Sequence, residues 1–249
     1  MTRSPPHSHR FTPGSALPRT ERAFTLIELL TVIAIIAILA TILIPTISGA
    51  RVAANKAKTR TQFSQWGAAF EAFKQEYGTY PQFATAGAQK LVNPLGTSTQ
   101  LTGTHLFHDL LAGTRRDGSQ LTGATTGNPP PAIAQTPRRI RFVSFTDNDF
   151  VLAADVAAGR NTNAQLNYIR DAFYNTSIAV ITDSNLDGVI NGRDTTGGFP
   201  GVVVAGTTTT IRPTTVVTTA LTGGIHAGVI FYSAPTGATS ENDLIMSWK

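Results

Sequence analysis

The sequence contains no cysteine among its 249 residues. That excludes disulfide staples, Cys-ligated zinc and thiol nucleophiles together, so any clip on a loop must be non-covalent. Charge is also scarce, at 14% of residues, with only 15 Asp and Glu. No G-x-S-x-G, P-loop, Rossmann glycine pattern or H-E-x-x-H occurs, so nothing nominates a nucleophile, a phosphate cradle or a zinc-hydrolase centre, and the chain reads as a non-enzyme. No Lys/Arg block exceeds two adjacent residues. The net charge of +5 is largely terminal: Arg3, Arg10, Arg19 and Arg22 against Glu21 give residues 1–23 a net of +3 and leave +2 for the rest. This distribution argues against a nucleic-acid partner.

What the chain does have is one apolar run. From Phe24 to Ile44 the sequence is 21 residues of nearly unbroken apolar character, enough at about 1.5 Å per residue to cross the roughly 30 Å core of a bilayer. Glu28 sits inside it with no Lys or Arg in the run. A carboxylate in a membrane helix costs a few kcal/mol, so it needs a partner or a role. Residues 1–23 lack apolar periodicity and read as a basic leader, whose charge should stay cytoplasmic. The run is longer than the 7–15 residues of an ordinary secretory signal, although Ala50, Ala53 and Ala54 beyond it would suit a later cleavage.

Helical periodicity continues past the run. Phe63, Trp66, Phe70, Phe73 and Tyr77 recur at spacings that form one helical face, with Arg51, Lys56, Lys58, Arg60 and Lys74 off it. Gly78 is the expected C-terminal cap and Pro81 follows, while Pro45 and Gly49 should kink rather than end the helix. One helix over about residues 25–77 is therefore expected. Beyond Gly78 the apolar runs become short. "THLFHDLLAG" predicts a helix capped by Thr104, with Leu106, Phe107, Leu110 and Leu111 facing a core. "RDGSQLTGATTGNPPPAIAQTP" predicts an irregular loop. Strands are expected at 139–145, 149–155, 177–183, 201–206, 209–219, 225–234 and 244–248. Residues 195–222 hold 11 threonines, which suits exposed antiparallel β structure. The fold class is α+β, a long helix followed by an antiparallel sheet domain over 78–249.

"FTLIELLTVIAIIAILATILIP", preceded by a short basic leader and followed by an amphipathic helix ending "EYGTYP", resembles the type IV pilin and type II secretion pseudopilin superfamily over Arg22–Pro81. The resemblance implies cleavage by a prepilin peptidase between Ala23 and Phe24, leaving 226 residues, and methylation of the Phe24 amine. The family usually has Gly where this chain has Ala23; Ala is the next smallest side chain, so slower processing is the expected consequence. The resemblance further implies a single pass through a bacterial inner membrane, N-terminus cytoplasmic and domain periplasmic. Glu28 would pair with the new amine of its own chain or of a neighbour. Partners would be copies of the chain, other pilin-like subunits and an inner-membrane assembly platform.

"DSNLDGVINGRD", Asp183 to Asp194, fits the twelve-residue calcium-loop template. Asp183, Asn185 and Asp187 take positions one, three and five, and Gly188 takes the sharp turn. Val189 offers its carbonyl, Asn191 position nine and Asp194 position twelve, with Ile190 anchoring the loop. Alternating oxygen donors are what wrap a hard cation such as Ca2+. The alternative is a metal-free turn, which the same residue types favour. Glu241, Asn242 and Asp243 near the C-terminus are weaker candidates for a second site, or a solvated turn. His105, His108 and Asp109 share a helical face, but two histidines without a further ligand are more often structural. A calcium loop without cysteine resembles the pseudopilin side, since many type IV pilins close a C-terminal loop by a disulfide. The alternatives are a type IV or minor pilin serving adhesion, motility or DNA uptake, and a secreted calcium-dependent binding module released by ordinary signal cleavage.

Overall fold

The computed structural model describes residues 24–82, 90–93, 97–123, 125–195, 198–214 and 223–249, with the side chains of 45 and 46 excepted. The expected leader 1–23, including Ala23, and parts of the expected 209–219 strand and 195–222 threonine-rich stretch lie outside those residues. The chain divides into two compact units, residues 1–49 and 50–249.

Helix α1 runs Leu26–Tyr77 without a break at Pro45. In the first unit its large apolar side chains face outward: Leu26 is 83% exposed, Ile38 64% and Ile44 69%. Nothing within the described part of that unit covers them, and a segment of the helix is long and apolar enough to cross a membrane. In the second unit the helix does bury a face. Phe63, Trp66, Phe70 and Phe73 are buried and Tyr77 is packed beside them. The helix closes as expected, with Gly78 at φ +80° donating its N–H to the Lys74 carbonyl at 2.8 Å.

Around the helix the second unit carries α2 (Leu106–Ala112), α3 (Ala132–Gln135), α4 (Ala153–Ala157) and strands β1 (Ile178–Thr182), β2 (Val202–Val203), β3 (Thr210–Ile211), β4 (Val229–Ser233) and β5 (Ile245–Met246). The main sheet is antiparallel in the order β1-β4-β5, with Ile178 opposite Ser233 and Tyr232 opposite Met246. Lys90–Val92 extends its β1 edge through Val180 N–H to Lys90 O and Val92 N–H to Ile178 O, each 2.9 Å. Because side chains alternate across a strand, the sheet serves two cores. Ile178, Val180, Phe231 and Ile245 face α1 and α2, whereas Ala179, Ile181, Ile230, Tyr232 and Met246 pack under the β2–β3 hairpin with Phe199, Val202 and Ile211. Phe231 is the pivot of the first core, its ring 5.7, 5.6 and 5.5 Å from those of Phe63, Trp66 and Phe70.

Several expectations are corrected. Residues 139–145 form no strand: the Phe142 and Val143 N–H groups both donate to the Leu111 carbonyl, at 2.8 and 3.1 Å. Phe142 packs on Phe73 and Tyr77, and Phe145 on Phe107 and His108. Residues 149–155 form no strand either. Asp149 caps a 3₁₀ turn, Asp147–Asp149, through the Thr146 N–H at 2.7 Å, and Asp155 accepts from the Leu152 N–H at 3.0 Å to open α4. The cap of α2 is His105 rather than Thr104. Among its described residues, the Gly/Pro-rich 116–137 loop contains one regular turn, α3.

Candidate functional site

The N-terminal site begins with local chemistry. Thr25 is the residue before the first helical position and Glu28 is the third helical residue, the T-x-x-E spacing of a capping box. The Glu28 Oε2 accepts from the Thr25 backbone N–H at 2.9 Å and from the Thr25 hydroxyl at 2.8 Å, while Thr25 Oγ1 accepts from the Glu28 N–H at 3.3 Å. The carboxylate is therefore turned back toward the start of the helix. Its partner is Thr25, a partner the sequence spacing could have revealed. Phe24, 77% exposed, directly precedes this box, so an amine created there would adjoin the carboxylate-bearing turn.

The 183–194 loop is organised by its own backbone. Asp183 is fully buried, and its Oδ2 accepts from the Gly188 N–H at 2.8 Å. Asn185 donates its side-chain N–H to Asp187 Oδ2 at 2.8 Å, and Asp187 Oδ1 accepts from the Val189 N–H at 2.9 Å. That backbone bond, then the Asn185 contact, holds the Asp187 carboxyl below the usual range. Asp194 turns one oxygen to the Ser184 N–H and hydroxyl, at 2.7 and 2.8 Å, and the other to the Asn191 N–H at 3.0 Å. Asn191 Oδ1 takes the Arg193 N–H at 2.9 Å. Gly188, at φ +84°, makes the left-handed turn that the template assigns to glycine. Ile190 is buried and bridged to Ile225, as an anchor should be. Lys90 clips the loop's end, donating to the Asp194 carbonyl at 2.6 Å, and burial lowers its basicity.

The donor set is all oxygen, which suits a hard cation, and most of its carboxylate oxygens accept one hydrogen bond and keep a further lone pair. Among the described residues, however, no group of three His, Asp or Glu side chains comes together as a metal-binding cluster. The loop would have to draw on Asn185, Asn191 and the Val189 carbonyl as much as on its acids.

Of the C-terminal candidates, Asp243 caps a 3₁₀ turn, Glu241–Asp243, by accepting from the Thr239 and Ser240 N–H groups at 2.9 and 3.0 Å. These bonds hold its carboxyl below the usual range. Glu241 reaches instead to the Thr214 N–H and hydroxyl, and Asn242 lies between them in the same turn. The histidine pair is part of the core. His105 Nε2 lies 2.9 Å from Asn93 Oδ1, and His108 Nδ1 lies 3.2 Å from Asp109 Oδ1.

Comparison with known proteins bears on the first site. Residues 18–44 match the family model described as the prokaryotic N-terminal methylation motif. No curated protein and no solved structure matches the chain. The matched span contains Ala23, Phe24, the capping box and the outward-facing apolar helix. The chain thus carries, at residues 18–44, the N-terminal methylation motif that type IV pilins and pseudopilins share.

Proposed function

We propose that this protein is a structural subunit of a type II secretion pseudopilus, acting by assembly rather than by catalysis. It is inserted once through the inner membrane with its N-terminus cytoplasmic, cut by prepilin peptidase between Ala23 and Phe24, and methylated on the Phe24 amine. The observation that carries the reading is the methylation motif spanning an apolar helix whose large side chains are exposed among the described residues. Copies of the chain and other pilin-like subunits, gathered at an inner-membrane assembly platform, replace lipid around residues 24–44 and build a periplasmic filament. Glu28 exchanges its Thr25 partners for an amine, on its own chain or a neighbour's. Loop 183–194 takes Ca2+ and clips the domain in a chain without disulfides, which supports the pseudopilin assignment over a type IV or minor pilin.

The test is intact-mass and N-terminal peptide mass spectrometry on protein from a host with prepilin peptidase. A start at Phe24 with one added methyl group is expected. A start beyond Ala50 would overturn the filament reading and make a secreted calcium-binding module the better description.

A further inference from the structure

We infer that residues 51–60 form a cationic collar that binds acidic phospholipid headgroups on the domain side of the membrane. The segment carries Arg51, Lys56, Lys58 and Arg60, and no acidic residue occurs between Glu28 and Glu71. Arg51, Lys58 and Arg60 are exposed and Lys56 is half-buried. Among the described residues, none of the four is held in an ion pair; the acids that are paired lie on other cations.

Helical geometry explains why these cations form a collar. At about 100° per residue, the buried side chains Thr59, Phe63, Trp66, Phe70 and Phe73 define one stripe. Arg51 and Lys58 fall on one flank of that stripe, and Lys56 and Arg60 on the other. Charges on both flanks suit an encircling layer of anions better than a single flat protein face. The placement along the helix suits the same occupant. Arg51 follows the end of the apolar run, Ile44, by seven residues of sequence, and Lys56, Lys58 and Arg60 follow it by 12, 14 and 16. Long Lys and Arg side chains then reach back toward the interface while their stems lie along apolar surface. Ile47, 48% exposed, lies between the run and the collar, and Val52, 46% exposed, lies within the collar.

The collar also changes the charge logic of the chain. Once the leader is removed, four arginines leave one side of the apolar helix and four cations remain on the other. Positive charge near a span biases it toward the cytoplasm, so a basic domain-side flank opposes the orientation that the leader sets. Lipid phosphates give that flank a compensating partner. The inference rests on the apolar run spanning a membrane, as proposed above.

Because the chain has no cysteine, Ala57→Cys introduces a unique attachment point at an exposed position. The full-length variant carrying a spin label there is reconstituted in vesicles of phosphatidylcholine, or of phosphatidylcholine mixed with phosphatidylglycerol. Insertion is checked by resistance to alkaline extraction. Phosphatidylglycerol should cut collisions with a water-soluble relaxation agent by about five-fold, an effect lost in high salt. Changing all four cations to Gln should abolish it. Insertion without any dependence on lipid charge overturns the collar alone. Protection that instead follows protein density identifies a neighbouring subunit as the partner and also overturns it. Failure to insert overturns both the collar and the membrane reading.

Discussion

The imidazole Nε2 of His105 lies 2.9 Å from the side-chain oxygen of Asn93, inside a core where His105 has no exposed surface. Asn93 also holds Ile169 N–H at 2.9 Å and donates to the Ile169 and Thr176 carbonyls, both at 2.7 Å. The other ring nitrogen, Nδ1, accepts the His108 N–H that caps α2. A neutral ring with its proton on Nε2 satisfies both contacts, and protonating Nδ1 would break the cap.

Burial first, then the charges of Arg116 and His108, hold His105 well below the ordinary imidazole range. The unfolded chain therefore binds a proton, near pH 6.5, that the folded chain refuses. Stability contributed by this site should be complete above about pH 6.5 and fall as the pH drops below it. Urea unfolding from pH 7.5 to 5.5 tests this. A midpoint that stays level, or a slope equally present in His105→Gln, would remove His105 as the cause.

Asp171 should act with the opposite sign. Burial pushes its carboxyl up to about 6, against the Asn175 and Phe173 N–H groups, the Ser233 hydroxyl and Arg170. Its Oδ1 accepts from Phe173 and Asn175 at 2.8 and 2.9 Å, whereas Oδ2 has no hydrogen bond of ordinary length. A carboxyl raised above its unfolded value near 3.9 loses stability as pH rises from about 4 through about 6. Asp171→Asn keeps the oxygen that the two N–H groups need and removes the buried charge. It should stabilise the domain at pH 7 by about 1–3 kcal/mol and flatten that slope. Equal or lower stability in thermal unfolding at pH 7 would count against this account.

Gly228 is needed for space. A β-carbon there would overlap both the Tyr80 hydroxyl and the Glu71 carboxylate. Those groups are bonded to each other at 2.7 Å, and Lys74 sits 4.6 Å from the Tyr80 ring centroid. Gly228→Ala should cost about 1–3 kcal/mol by forcing this cluster aside. Adding Tyr80→Phe should recover part of the loss, because it removes the nearest of the atoms in the way while the Glu71 carboxylate remains, so the double variant should be less destabilised than the sum of the two singles.

Legibility in the sequence followed how local each constraint is. Helix α1 was readable because its stripe at Phe63, Trp66, Phe70 and Phe73 repeats at helical period and ends at Gly78. Strands β1 and β4 were readable because Ile178–Ile181 and Val229–Tyr232 are short apolar runs between turn residues. Residues 139–155 misled because Phe142, Val143, Phe145 and Phe150 supply apolar residues that each pack separately on the core, without a strand partner over 139–145. Their decisive signals were small: Thr146 three residues before Asp149, and Asp155 three after Leu152, are helix starts. The same three-residue spacing joins Thr25 to Glu28, where the capping signal coincides with the more conspicuous lone charge. The Asn93–His105–Ile169 network was not readable, because its members meet only after the chain has folded.

The acidic loop makes the last prediction. Asp187 is exposed at the turn, and its bonds are to Asn185 and Val189 within the loop. Asp183 is buried beneath it and holds the Gly188 N–H. If calcium binds, Asp187→Ala should abolish binding at little cost to the apo fold, whereas Asp183→Ala should weaken both. An aspartate at position twelve has a shorter arm than glutamate, so affinity should fall in the range of about 10⁻⁴ to 10⁻³ M. Calcium at ten times that dissociation constant should stabilise the folded domain by about 1.4 kcal/mol. Thermal unfolding across a calcium series, with magnesium as the control, reads this directly. A midpoint that calcium leaves unmoved would return loop 183–194 to a turn held by its own N–H groups, with Lys90 on the Asp194 carbonyl as its clip.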